Sequence, residues 1–217
     1  LFLDSEGRPL RRVSLYDSLA AAGVELTTVD PYVGDSGMMV DPFHSNSLFW
    51  MDGILEDFGA AWRRDPIYAP GGVLICIRHQ NRVAILDSET GEHRWSWGPG
   101  EISGPHDATL LESGNVLIFD NGLGSGQSRV VEVDPRTDTI VWQYQAPEAA
   151  DFYSASRGSA QRLENGNTLI AESDEGHAFE VTSEGQMVWS WRSPHVSTKE
   201  SRATIIRAIR YPESWRP

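Results

Sequence analysis

The sequence offers six histidines, and two of them, His44 and His106, open apolar segments beside polar residues that could share a site. An imidazole can attack an electrophile or move a proton near neutral pH, and a guanidinium can hold an anion through paired donors. The candidate catalytic residues are His44, His106, Arg129 and Arg157. The candidate substrate-binding residues around them are Asn46, Arg78, His79, Asp120, Asn121 and Ser154. Two histidines and two or three arginines on one rim would be locally cationic within a protein of net charge -13. Such a site suits a small anion: a sulfate ester, a phosphate or a carboxylate. The remaining residues are weaker candidates. His93 falls in a polar turn and reads as solvent-exposed, His177 begins a strand, His195 lies in a loop, and Cys76 sits in an apolar strand as inert core.

Those residues need a scaffold, and the scaffold is a repeat. Trp95, Trp142 and Trp189 are spaced 47 and 47, and Trp97, Tyr144 and Trp191 follow at the same spacing. Each pair ends a hairpin: an apolar strand, a polar turn, then a strand closing on two aromatics. Between these hairpins lies a second unit. His106–Phe119 and Gly158–Ala171 share Leu111/Leu163, Gly114/Gly166, Asn115/Asn167 and Leu117/Leu169. A looser copy runs from His44 to Gly53 and resumes at Gly72, with an Ala-, Pro- and Trp-rich insertion between its strands. Two hairpins per period make a four-stranded antiparallel blade, so the fold class is all-β, a β-propeller.

The whole chain, 1–217, reads as one propeller domain of about four blades. The expected divisions are a partial blade over 1–42, blades at 43–97, 105–144 and 158–191, and a tail strand at 204–212. A short helix is expected at Tyr16–Ala22. Strand order places most of the His, Arg and Asn candidates on one rim. His44 and His106 read as equivalent starts of inner strands, with Gly158 in the corresponding place of the next blade.

Composition narrows the partners. A surface this acidic repels phosphate backbones, which argues against nucleic acid. No apolar run reaches the roughly 20 residues of a membrane span. One cysteine excludes an internal disulfide framework and any cysteine-cluster metal site. The expected partner is a small anion, with no cofactor, no metal and an oligomeric state left open. The chain starts at Leu1 without an initiating Met, and we expect it to be N-terminally incomplete.

At these same residues the sequence resembles the arylsulfotransferase family of propellers. The resemblance is carried by Asp41–Ser47, Leu74–Asp87, His106–Gly122, Ser128–Asp134, Phe152–Ser173 and Phe179–Trp189. It implies a six-bladed propeller, for which 217 residues are too few. It also implies a small anionic aromatic substrate and transfer of a sulfuryl group between phenols through a covalent sulfohistidine. His44 and His106 match two family active-site histidines, and Arg129 matches its arginine. The expected setting is periplasmic or extracellular. The chain departs from the pattern in two places. The family nucleophile comes from a later blade, yet no histidine lies between 106 and 177, where Ser154, Ser156 and Arg157 are best placed. The family asparagine two residues after the second histidine is Ala108. The nucleophile's position is therefore vacant unless His44, His106 or His177 fills it. Two other readings stay open: a non-catalytic propeller that binds a small anion or a protein, and a quinone-cofactor dehydrogenase, because Val83–Trp97 looks like the tryptophan-bearing repeat of those propellers. The calcium site and acidic residue of the latter are not seen.

Overall fold

A computed structural model describes residues 1–34, 37–52, 64–196 and 202–212. The chain begins with a hairpin of β1 (Phe2–Leu3) and β2 (Pro9–Arg11), a helix α1 (Leu15–Ala21), and a hairpin of β3 (Tyr32–Gly34) and β4 (Gly37–Met39). The helix lies one residue from its expected place. Ser14 caps it, its hydroxyl accepting from the Asp17 N–H at 3.1 Å. Leu19 on α1 is buried against Ile77 and Ala84 of the first sheet, which anchors this segment to the propeller.

Three four-stranded antiparallel sheets follow, each in sequential order. The first contains β5 (Ser45–Trp50), β6 (Gly72–Ile77), β7 (Arg82–Asp87) and β8 (His93–Trp97). The second contains β9 (His106–Leu110), β10 (Val116–Asp120), β11 (Arg129–Asp134) and β12 (Thr139–Gln145). The third contains β13 (Ser159–Arg162), β14 (Thr168–Glu172), β15 (His177–Val181) and β16 (Met187–Arg192). These are the blades of a β-propeller. Much of the insertion between β5 and β6 falls at 53–63, outside the described residues.

Side chains alternate between the two faces of a strand, so a middle strand with neighbours on both faces must be apolar throughout. β10 shows this directly. Val116 and Ile118 join Leu74, Cys76, Ile85, Trp95 and Trp97 in the seam with the first blade. Leu117 and Phe119 join Tyr144, Phe152, Ile170 and Phe179 in the seam with the third. Every residue of β10 is buried, whereas every residue of β16 is exposed, because no described blade covers its far face.

Polar ties repeat across the seams at the blade period. The Trp95 indole N–H donates to Asp138 Oδ1 at 2.8 Å, and that of Trp97 to the Asp138 carbonyl at 3.2 Å. One blade later, the Trp142 indole donates to the Ser183 carbonyl at 2.8 Å. A buried carboxylate forms a second tie. Glu132 accepts from Asn115 at 2.7 Å and from Arg162 of the next blade at 2.8 Å, and Arg162 covers the Trp142 ring. Glu180 repeats this with Asn167 and Arg210, and Arg210 covers the Trp189 ring. Residues 204–212 thus run beside β13 and take the part that an inner strand plays elsewhere. The Ala208 N–H donates to Ser159 Oγ and the Arg210 N–H to Gln161 Oε1.

The 47-residue tryptophan spacing is therefore a spacing of seam bonds as well as of packing. Trp95 is 6 % exposed and Trp189, at the equivalent place, is 41 % exposed. Trp95→Phe should lower unfolding free energy by about 1–3 kcal/mol, through the lost bond and the smaller ring. Trp189→Phe should cost less than half as much. Urea unfolding of the two variants checks the ordering.

Candidate functional site

The bonds between inner strands decide which of their residues are equivalent. Ser47 Oγ accepts the Ala108 N–H, Asp107 Oδ2 the Ala160 N–H and Ser159 Oγ the Ala208 N–H. One place before each of these side chains, Asn46, His106 and Gly158 align. His44 is not the counterpart of His106, as the sequence pattern suggests. It lies two residues before Asn46 in the chain, at the positive φ of 46°. Gly158 leaves no room for a third histidine there, since a Cβ would come 2.3 Å from the Phe119 ring.

Asp41 builds the first part of the site. Its Oδ1 accepts the His44 backbone N–H at 2.7 Å, which stabilises the left-handed turn. Its Oδ2 meets His44 Nδ1 at 2.6 Å, and its backbone carbonyl meets His79 Nδ1 at 2.6 Å. The two rings stack with centroids 4.6 Å apart. Partial burial pushes the Asp41 carboxyl up, but the hydrogen bonds and charge of His44 outweigh it and hold the group below its ordinary value. Asp41 is therefore an ionised acceptor, so His44 carries its proton on Nδ1. A carbonyl can only accept, so His79 does the same.

His106 is set by different means. Asp107 takes a positive φ of 49° where the β9–β10 register shifts, and this local irregularity orients the start of β9. His106 Nδ1 lies 2.7 Å from Asn121 Oδ1 and 3.2 Å from the Gly104 carbonyl. Asn121 is fully buried, and its amide nitrogen donates to the carbonyls of Ser154 at 2.6 Å and Arg157 at 2.8 Å. Those two carbonyls dictate which way the amide faces, so Oδ1 must point at His106. Its proton is on Nδ1 and its Nε2 holds a lone pair. Burial lowers the His106 pKa, and the charges of Arg78 and His44 lower it further, against the hydrogen bonds that His106 donates to Asn121 and Gly104. The neutral imidazole is favoured.

His44, His79 and His106 thus share one arrangement. Each Nδ1 is held by an acceptor, and no hydrogen-bond partner meets any of the three Nε2 atoms among the described residues. Arg78 and Asn46 adjoin them: Arg78 reaches the Ala155 carbonyl at 3.4 Å, and Asn46 donates to the Pro105 carbonyl at 2.8 Å.

The other sequence candidates have structural partners. Arg129 bonds Asp120 at 2.9 Å, Gln143 at 3.1 Å and the Glu101 carbonyl at 2.5 Å. It lines a separate cleft with Asn81, Ser103 and Gly122. Asp120 also accepts the Ser103 and Gly122 N–H groups. His177 and Glu172 occupy the same strand positions in the third blade, paired at 2.8 Å, and His177 Nε2 meets Ser190 Oγ at 2.9 Å. With both nitrogens engaged and the ring buried, His177 is not available as a nucleophile. Ser154 is fully buried, its hydroxyl accepting from the Asp174 N–H. Arg157 contributes its carbonyl to Asn121, and its guanidinium lies 3.8 Å from Asp174. His93 is half-buried rather than solvent-exposed. Burial pushes the Cys76 thiol up, as expected of an inert core residue. Asp41 is the residue that sequence reasoning missed as a site member, although it stands three residues before His44.

These sheets and this histidine-bearing rim define a β-propeller with a polar site where its inner strands begin. The chain belongs to the arylsulfotransferase (ASST) family, whose model matches residues 2–194. No curated protein matches the chain. Among solved structures it is similar to a protein of unknown function from Bacteroides caccae, at 15% identity and a TM-score of 0.47, covering 71% of this chain and 48% of that one. It is also similar to a catalytically inactive virginiamycin B lyase from Staphylococcus aureus with quinupristin, at 12% identity and a TM-score of 0.47, covering 80% and 51%. The Dos1 propeller is similar at 15% identity and a TM-score of 0.42, covering 64% and 34%. The chain spans about half the length of the first two of these structures.

Asn121→Ala should release the His106 ring. Nitrogen-15 imidazole shifts should then change from a single Nδ1–H tautomer to a mixture, while His177 stays as it is. The orphaned carbonyls of Ser154 and Arg157 should lower stability by about 1–3 kcal/mol.

Proposed function

We propose that this propeller transfers a sulfuryl group from an aryl sulfate to a phenol, with His106 as nucleophile. The observation that carries this reading is the His106–Asn121 pair, which leaves a neutral imidazole with its Nε2 lone pair unpartnered. Family membership supports the reaction class.

In the first half-reaction, Nε2 attacks sulfur, the S–O bond to the aryl group breaks, and the aryloxide leaves with the electron pair. The sulfohistidine carries a positive ring and a negative sulfuryl group. The Asn121 and Gly104 oxygens on Nδ1–H stabilise that ring charge. In the second half-reaction, a phenol loses its proton, its oxygen attacks sulfur, and the N–S bond breaks to restore neutral His106. His44 is the base we assign to that proton, because Asp41 stabilises the imidazolium that results. The same proton then reaches the departed aryloxide, so the cycle balances. Arg78 is the cation we assign to the sulfuryl oxygens.

A chromogenic aryl sulfate with a phenol acceptor tests the proposal. His106→Ala should reduce turnover by at least 1000-fold and abolish the acid-labile sulfuryl adduct seen by mass spectrometry. Turnover undiminished in that variant, or absent from the folded parent, overturns it. Binding of aryl sulfates without turnover would instead support an anion-binding propeller, a reading favoured by Gly158 standing in place of a further histidine.

The pH dependence follows from the His106 shift. A lowered pKa keeps the imidazole unprotonated below the ordinary 6.5, so the acid limb of kcat/KM should lie under that value. Arg78→Gln removes a charge that opposes protonation, so the limb should move upward. The unfolded chain binds the His106 proton more readily, so this residue's stabilising contribution is present above 6.5 and is lost as pH falls through the folded value.

A further inference from the structure

The geometry points to a second active site, on the third blade, in which Ser190, His177 and Glu172 hydrolyse carboxylic esters. Glu172 Oε2 meets His177 Nδ1 at 2.8 Å, and His177 Nε2 meets Ser190 Oγ at 2.9 Å. A hydroxyl, an imidazole and a carboxylate in that order make a nucleophile, its base and the group that orients the base. This inference does not rest on the sulfuryl chemistry.

Comparison of the three blades shows what is particular to the third. Each blade joins the first residue of its third strand to a polar side chain on its fourth. Arg82 donates to Ser96 at 3.0 Å in the first blade, and Arg129 to Gln143 at 3.1 Å in the second. The ladders place these partners alike. Ser96, Gln143 and Ser190 stand opposite the residue two places after Arg82, Arg129 and His177. A structural tie needs only a donor, and arginine serves in two blades. A guanidinium cannot take a proton, whereas an imidazole can. The third blade has the imidazole, and it faces a hydroxyl.

The hydrogen bonds fit those roles. Glu172 Oε1 accepts the Tyr153 N–H at 2.9 Å, which fixes the carboxylate and leaves Oε2 to accept the His177 Nδ1–H. Nε2 then carries its lone pair toward Ser190. Glu172 and His177 are 2 % and 3 % exposed, whereas Ser190 is exposed, so the base is shielded and the nucleophile is within reach of a substrate. β16 is the outer strand of its sheet, so alternate N–H groups along it lack a ladder partner. These are donors for an oxyanion formed beside Ser190. A cleft of about 590 Å³ adjoins, lined by Glu172, Tyr153, Asp151, Glu175 and Arg192. Arg192 lies two places beyond Ser190 on the same face of β16. Three carboxylates against one guanidinium disfavour an anion, so the substrate is an uncharged or cationic ester.

Ser190 Oγ attacks the acyl carbon while His177 Nε2 takes the hydroxyl proton. The bond from that carbon to the alcohol oxygen breaks, and His177 passes the proton to the leaving oxygen. Water then attacks the acyl-serine and gives a proton to His177, and the departing Ser190 oxygen recovers it. Ester and water become acid and alcohol.

Reaction of the full chain with diisopropyl fluorophosphate, followed by peptide mass mapping, is the test. We expect a diisopropylphosphoryl group on Ser190 and none on Ser96, its counterpart beside Arg82. His177→Arg keeps the tie of the other blades but removes the base, and should slow labelling by about 100-fold or more. Ser190→Ala, at an exposed position, should abolish labelling and lower p-nitrophenyl acetate hydrolysis comparably. The acetate should be hydrolysed faster than the mono-p-nitrophenyl ester of succinic acid, and the reverse order overturns the substrate class. An unlabelled Ser190 in the folded parent, or equal labelling in folded His177→Arg, overturns the inference. Should His177→Arg fail to fold by circular dichroism, ester hydrolysis decides: a loss in Ser190→Ala supports the site and an unchanged rate overturns it.

Discussion

Asn121 is a side-chain amide placed where two blades and one histidine meet. Its nitrogen donates to carbonyls of the connection that leads into β13, and its oxygen faces His106. Its own carbonyl accepts from Ser128 Oγ, which in turn receives the Ser154 N–H. A buried amide must satisfy both ends, because leaving either unmet in a dry interior costs more than the bond contributes when made. The orientation of the amide, the approach of the third blade and the protonated nitrogen of His106 are therefore one decision. The chemistry proposed for this rim depends on that decision more than on any charge.

The seams between blades follow the same logic on a larger scale. Apolar packing brings neighbouring sheets together, but packing alone would tolerate sliding. The indole bonds to Asp138 and Ser183, and the Glu132–Arg162 and Glu180–Arg210 pairs, specify the register of one blade on the next. These are repeated at the blade period, so each seam carries the same specification.

The blade pattern was legible because it rests on periodicity. Alternating apolar residues, glycine-bearing turns and tryptophans spaced by 47 all derive from local rules, and the sheets follow them. The site was legible only in part. Grouping candidates by rim brought His44, His79 and His106 into view, but equivalence by spacing matched His44 with His106, where the bonds between inner strands match Asn46 with it. A turn at positive φ and a register shift at the start of β9 change residue counts without changing hydrophobic pattern, so periodicity cannot see them. Pairings such as Arg129 with the Glu101 carbonyl or Arg157 with Asp174 join different loops, and no spacing encodes them. Asp41 escaped notice because a carboxylate before a turn reads as ordinary turn chemistry.

The inner strands have a further property. Within a blade, strands are joined by main-chain ladders. Between blades, the inner strands are joined by side chains: Ser47 to the Ala108 N–H, Asp107 to the Ala160 N–H, and Ser159 to the Ala208 N–H. A ladder fixes a strand along its length, whereas a single side-chain bond fixes one point. Each inner strand is thus fastened to the next at a point, one residue after the position that Asn46, His106 and Gly158 share. The backbone around His106 is pinned from both neighbours: Ser47 of the first blade holds the Ala108 N–H, and Asp107 reaches forward to the Ala160 N–H of the third.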